Sequence, residues 1–256
     1  MSDALRAEWT KLRTLASTGW LLVGTVVLTI GASAAVAAAT HVSGENGQDP
    51  TKLALIGVYL GQSVVVVLAV LTIAEEYGTG MMRVTLAALP RRLVLLGAKV
   101  ANVVGLTFVA ALIALVGCLV VARFMLPADG LNPAHGYAFV SITHAATLRA
   151  ATGSVLYLIL IALFSVGVAT AVRDTGASIG LVLGLLYLPP ILAQVVAEPL
   201  RQHLLQIAPM SAGLAVQATT SLRDQPITPW AGLGVLAAWA TVSLLVGGLL
   251  LRRRDA

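Results

Sequence analysis

Charge is what this chain lacks most. Of its 256 residues only 11% are Asp, Glu, Lys or Arg, against about 25% in an ordinary soluble domain. So thin a supply cannot cover a soluble surface, which excludes that class and makes length a poor guide to domain number. Cysteine is nearly absent as well. Cys118 is the only one, inside an apolar run, so neither a disulfide framework nor a Cys-based metal site can be built. Signatures of nucleotide chemistry are missing: no Gly-x-x-x-x-Gly-Lys-Ser/Thr phosphate loop occurs, and the chain is not expected to hydrolyse ATP itself. Gly78-x-Gly80 lacks the third glycine and the preceding strand of a dinucleotide fingerprint. No His-Glu-x-x-His occurs, and His41, His135, His144 and His203 are scattered without the spacing of metal ligands. No catalytic residue, metal or cofactor is assigned.

What the chain has is apolar length. It is 58% hydrophobic, with six runs free of Asp, Glu, Lys, Arg and His, at about 20–40, 53–74, 100–122, 153–172, 179–197 and 230–251. Each approaches the roughly 20 residues a helix needs to cross a bilayer core. None alternates in polarity as the strands of a membrane barrel do. The predicted fold is an all-α integral membrane protein of six transmembrane helices in one domain, 1–256. The first run ends in alanines that imitate a cleavage site. It is too long for a signal-peptide core, and acids as well as bases precede it, so it is assigned as a span.

Six spans put both termini on one side. Arg6, Lys11, Arg13, Arg83, Arg91, Arg92, Lys99, Arg173, Arg252, Arg253 and Arg254 flank that side. Lys52, Arg123, Arg149, Arg201 and Arg223 flank the other. The excess of Lys and Arg predicts cytoplasmic termini and a cytoplasmic 75–99 loop. The net charge of +5 and pI near 9.8 are read as topology, and nucleic acid is not an expected partner. The absence of acids and histidines from the spans disfavours a proton-coupled carrier and an intramembrane protease; backbone-based sodium sites stay open.

The segments between the spans carry further expectations. In ALRAEWTKLRTLAS, before the first span, Leu5, Trp9, Leu12 and Ala16 recur at helical spacing while Arg6, Thr10 and Arg13 fall opposite. This predicts an amphipathic helix in the membrane interface with Trp9 at headgroup level. Residues 41–52 and 123–149 are expected as outer loops, and RDTGAS (173–178) as a tight turn. The 198–229 segment is too apolar for a loop and too interrupted for a span, with short apolar patches split by Pro209. It is expected to form a broken or re-entrant outer hairpin. Gly57-x-x-x-Gly61 and Gly180-x-x-x-Gly184 permit close helix approach, and Pro189-Pro190 predicts a kink. Gln62, Asn102 and Gln194 are the polar residues within spans. They either hydrogen-bond between helices or line a substrate path.

The loop EEYGTGMMRVTLAALPRR (75–92) stands out. Gly78 and Gly80 can break the preceding helix, residues 81–89 can form two helical turns, and Pro90 stops them. A short apolar helix outside the membrane invites a protein partner. At this level the sequence resembles the membrane subunits of ABC-2 type transporters, the permeases of ABC exporters. The loop resembles their glutamate–glycine–threonine loop, and AEWTKLRT, RDTGASIG and the terminal LLRRRDA follow in matching order over essentially the whole chain. The resemblance implies an N-terminal interfacial helix, a cytoplasmic coupling helix between the second and third spans, and a separate ATPase partner. It also implies a second permease copy, identical or related. Glu75, Glu76, Tyr77, Gly78, Thr79 and Gly80 would shape the bend. Met81, Met82, Arg83, Val84, Thr85 and Leu86 would dock the ATPase, with Glu8 and Lys11 nearby. The second and fifth spans would line a path for a drug-, antibiotic- or lipid-like cargo, in a plasma membrane. The alternatives are a non-transporting anchor or sensor that recruits a cytoplasmic partner, and an ion-coupled carrier.

The charge asymmetry makes a direct prediction. In a Cys118→Ala background, Lys52→Cys reacts with a membrane-impermeant maleimide on intact cells, and Thr79→Cys reacts only after permeabilisation. The reverse pattern would invert the assigned orientation.

Overall fold

The computed structural model describes residues 2–39, 49–88, 92–126, 144–220, 222 and 225–253. Among them there is no strand, and eleven α-helices are linked by turns. These are α1 (Ser2–Thr14), α2 (Ala16–Ala39), α3 (Pro50–Ala54), α4 (Val58–Gly78), α5 (Met81–Ala88) and α6 (Arg92–Met125), followed by α7 (Ala145–Val172), α8 (Thr175–Leu192), α9 (Leu200–Ile207), α10 (Pro209–Leu214) and α11 (Pro229–Arg253). Six of them (α2, α4, α6, α7, α8 and α11) are long and apolar enough to cross a membrane. The chain is a multi-pass helical membrane protein. Of the loops predicted at 41–52 and 123–149, residues 41–48 and 127–143, with His41 and His135, lie outside the described residues, as do Pro90, Arg91, Arg223 and Arg254; residues 50–52, 123–125 and 145–149 are helical, in α3, α6 and α7.

α7 is the most enclosed of the six and α8 the least. α7 packs against α11, α4, α6 and α8, and α2 packs on α4 and α6. Tyr157, Leu158, Ile161 and Phe164 of α7 are fully or almost fully buried. The two glycine pairs behave differently. A Cβ on Gly57 would come within 1.8 Å of the Thr29 carbonyl oxygen, and one on Gly61 within 2.0 Å of Thr29 Oγ1. The missing side chains let α4 press directly on α2, and the Gly57 N–H donates to Ser33 Oγ at 3.0 Å. Gly180 has no neighbour within 4 Å, and Gly184 meets only Leu188 of its own helix.

Several boundaries differ from those predicted. Residues 53–54 belong to α3 rather than to the second span, because Asp49 starts a separate helix: Oδ1 accepts the N–H groups of Thr51 and Lys52, each at 3.1 Å. The third span begins at Arg92 rather than near 100. At 34 residues it is about 50 Å long, longer than a ~30 Å bilayer core requires. The turn after α7 is only Arg173 and Asp174. Arg173 takes the left-handed C-cap conformation, and Asp174 caps α8 through the Ala177 N–H at 2.7 Å. Pro189 and Pro190 fall in the last turn of α8, so they precede its end rather than interrupt its middle.

The 198–229 segment holds two short helices and a 3-10 turn. Ala208 is extended and Pro209 opens α10, the positions where the residue before proline and the first helical residue are most at ease. α9 buries nothing, whereas nearly all of α10 and the following 3-10 turn, Ala215–Gln217, is buried against the bundle. Gln217 Nε2 donates to Ser154 Oγ at 3.1 Å. Asp49 fastens the far end of the segment, accepting from the Thr219 hydroxyl at 2.6 Å and the Thr220 N–H at 3.0 Å. Arg149 Nη2 donates to the Ala218 carbonyl at 2.6 Å.

The glycine contrast predicts unequal outcomes for one substitution. Gly61→Ala forces α4 off Thr29 and destabilises by about 1–3 kcal/mol, whereas Gly180→Ala is neutral or stabilises by up to ~1 kcal/mol through helix propensity. Thermal unfolding of the detergent-solubilised monomer measures both.

Candidate functional site

The helix after the second span is where exposed apolar groups and buried charges meet. α4 continues through Gly78, and Thr79 closes it: its N–H and hydroxyl both donate to the Glu75 carbonyl, at 2.9 and 2.7 Å. Gly80 then turns the chain with φ of 69°, a left-handed conformation that glycine adopts without a Cβ penalty. Of the two glycines expected to break the helix, only Gly80 does so. α5 starts at once. Met82 is only 4% exposed and sits in a small cleft among Ile73, Tyr77, Leu95, Thr170 and Leu251. Met81 and Val84 are 48% and 66% exposed. Thr85 is half-buried and its hydroxyl donates to the Met81 carbonyl at 3.0 Å. Met82 therefore anchors α5 to the bundle, and the surface it leaves free carries Met81 and Val84. The side chains of Arg83 and Leu86 lie outside the described residues.

Beneath this elbow lies a chain of alternating charges from three helices. Lys99 Nζ of α6 donates to Glu76 Oε1 of α4 at 2.7 Å, to Glu8 Oε2 of α1 at 2.9 Å and to the Thr72 carbonyl at 3.2 Å. Lys11 of α1 closes the row with a short ion pair to Glu76 Oε1. The Lys99 side chain is 2% exposed, and those of Glu76 and Glu8 are little more so; Lys11 is 36% exposed. Glu75, one residue earlier, faces solvent, as do Gly78, Thr79 and Gly80. Burying a charge costs several kcal/mol unless it is paired with good geometry. Here each carboxylate has an ammonium and Lys99 fills three donor positions, although both lysines meet Glu76 at Oε1 and its Oε2 is buried without a hydrogen bond among the described residues.

This cluster reorients α1. Its inward face carries Glu8 and Leu12, because Lys99 takes the Glu8 carboxylate, while Trp9, expected at headgroup level, is 47% exposed. Lys99 itself had been assigned to a basic flank. A usable signal existed, since it is the only charge between Arg92 and Arg123 in a continuous helical run. The elbow also meets two more helices. The Arg173 guanidinium lies 5.0 Å from the centroid of the Tyr77 ring, a cation–π distance, and Arg92 Nη1 donates to the Leu251 carbonyl at 2.8 Å.

The three polar span residues do not converge. Asn102, one turn beyond Lys99, donates to the Leu5 carbonyl at 3.4 Å and belongs to the α1 contact. Gln62 is fully buried. It accepts from the Tyr157 hydroxyl and donates to the Tyr59 carbonyl at 3.2 Å and Met210 Sδ at 3.3 Å, tying α4 to α7 and α10. Gln194 is exposed in the turn after α8. The first two act between helices, and no common path joins the three within one chain.

The degree of burial ranks the charges. Lys99→Met leaves two buried carboxylates short of a cation and costs about 3–5 kcal/mol, whereas Lys11→Met removes a cation that is itself partly solvated and leaves Glu76 paired with Lys99, and costs no more than ~1 kcal/mol. Adding Glu8→Gln and Glu76→Gln to Lys99→Met recovers most of the loss. Thermal unfolding midpoints of the solubilised chain read this order. No protein-family model matches the chain, and no curated protein matches it either.

Proposed function

We propose that this chain is the permease subunit of an ATP-driven exporter of the ABC-2 type, working with a separate cytoplasmic ATPase. The observation that carries the proposal is the build of α5: a two-turn helix outside the bundle, pinned by buried Met82, with Met81 and Val84 exposed and Glu76 wired to α1 through Lys99 and Lys11. In this proposal α5 is the coupling helix. The ATPase groove grips Met81 and Val84, with Glu8 and Lys11 alongside. A shift of α5 is passed through Met82 and Glu76 to α4 and α1 together, because the elbow has no slack with which to absorb it.

No covalent step takes place on this chain. ATP binding favours one arrangement of the assembly over another, and the difference in affinity between the two does the work. A second permease copy packs against α8, the least enclosed span, whose Gly180 and Gly184 leave room for a neighbouring helix. The α9–α10 hairpin re-enters from the outer side and closes the exit for a hydrophobic or amphiphilic cargo. The termini are cytoplasmic and the membrane is the plasma membrane.

The docking claim is tested on the exposed face, since substituting Met82 would disturb the elbow itself. Met81→Asp with Val84→Asp weakens co-purification with the partner ATPase by about tenfold or more, as removal of apolar anchors at an interface does. Thermal stability of the isolated permease stays unchanged. Undiminished ATPase binding by a folded double variant would refute the role given to α5.

A further inference from the structure

A cavity of about 250 Å³ lies beneath the α9–α10 hairpin, between α3, the first turn of α4 and the last turn of α8. It exceeds the ~150 Å³ apolar cavity that suffices to bind benzene. Its walls are mainly aliphatic: Pro190, Leu205, Met210, Leu214 and Ile227. Its polarity is one-sided. Lys52 and Tyr59 line it, and among the described residues neither the Lys52 ammonium nor the Tyr59 hydroxyl has a hydrogen-bond or ion-pair partner. The Ser211 hydroxyl is already spent on the Leu205 carbonyl at 2.8 Å. No described Asp or Glu lines the space. Tyr59 is held in place, because its carbonyl accepts from both Gln62 and the Tyr187 hydroxyl.

A hydrocarbon surface closed at one end by an exposed cation and a half-buried phenol, neither with a protein partner among the described residues, suits one chemistry. The aliphatic walls favour an alkyl chain through burial of apolar area. The two free donors favour an anionic headgroup, since hydrogen bonds between charged partners are the strong ones. We propose that this cavity is a subsite for an anionic single-chain amphiphile, a long-chain alkyl phosphate, sulfate or carboxylate. Its headgroup lies at Lys52 and Tyr59, and its chain runs along Leu205, Met210 and Leu214. That the amphiphile is cargo rests on the exporter proposal; that it binds here does not.

The test uses the full chain in nanodiscs of neutral phosphatidylcholine. The probes are dodecyl phosphate carrying a photoreactive diazirine near the chain end, and the corresponding uncharged dodecanol. The anionic probe labels the 205–214 segment saturably, and unlabelled dodecyl phosphate competes. Lys52→Gln, a change at an exposed site that leaves the fold intact, raises the half-saturating concentration about fivefold. Lys52→Arg restores it, and Leu205→Trp, which fills the space, abolishes labelling. The neutral probe labels weakly and ignores Lys52. Absence of saturable labelling in this segment, equal saturation in Lys52→Gln, or equal binding of the neutral probe would overturn the subsite. Flux of the same probe with the ATPase present is scored separately: Lys52-dependent binding without ATP-driven flux removes the exporter proposal and leaves the subsite standing.

Discussion

Two ionised carboxylates from different helices can sit together away from water only if a cation lies between them. Lys99 is that cation, placed on the first turns of α6 within reach of both Glu8 and Glu76. Because it is almost completely buried, the spacing of α1, α4 and α6 around it follows its ion-pair geometry. The local fold follows. α1 turns its acidic residue inward and leaves Trp9 out. α4 runs on to Gly78, since Glu76 must reach Lys99 before the chain turns. Gly80 then sets α5 where Met82 drops into the cleft beside Tyr77.

The two ends of the bundle are held by different chemistry. At the α5 end the contacts are ionic and cationic: the Glu8–Lys99–Glu76–Lys11 row, Arg173 over Tyr77, and Arg92 on the Leu251 carbonyl in the last turn of α11. At the hairpin end, neutral hydrogen bonds and aliphatic packing dominate, with Asp49 and Arg149 as the charged fasteners. Charge-assisted contacts are stronger and more directional than neutral ones. The α5 end is thus cross-linked mainly by charge, and the other end mainly by neutral contacts. Gln62 links them through the core: it belongs to α4 and touches Met210, which lines the cavity under the hairpin.

Much of the fold was legible because crossing a bilayer imposes a length and a polarity that no tertiary contact can rewrite. All six spans were found, and errors gathered at their ends, where water and lipid compete. Residues 53–54 read as part of a span because both are apolar, although Asp49 starts a separate helix there. Gly57/Gly61 and Gly180/Gly184 share one spacing and have different surroundings, which spacing cannot encode. At the candidate site, the bend at Gly80 and the short apolar helix were readable from residue type. Their inward and outward faces were not. Met81 and Met82 are the same residue side by side, and only the cleft formed by α6, α7 and α11 distinguishes them. Lys99 was hidden for a related reason: a lysine near a span end normally reports topology, and its role appears only once Glu8, 91 residues earlier, is folded against it.

The central claim is that a partner's ATP is spent through this chain to move a cargo. Vesicles holding the permease and its ATPase, loaded with an amphiphilic substrate, test it most directly. Inward-facing ATP sites should drive flux that needs hydrolysable ATP and persists when ion gradients are collapsed. Flux that follows an ion gradient without the ATPase, or recruitment of the ATPase with no flux at all, would contradict the account.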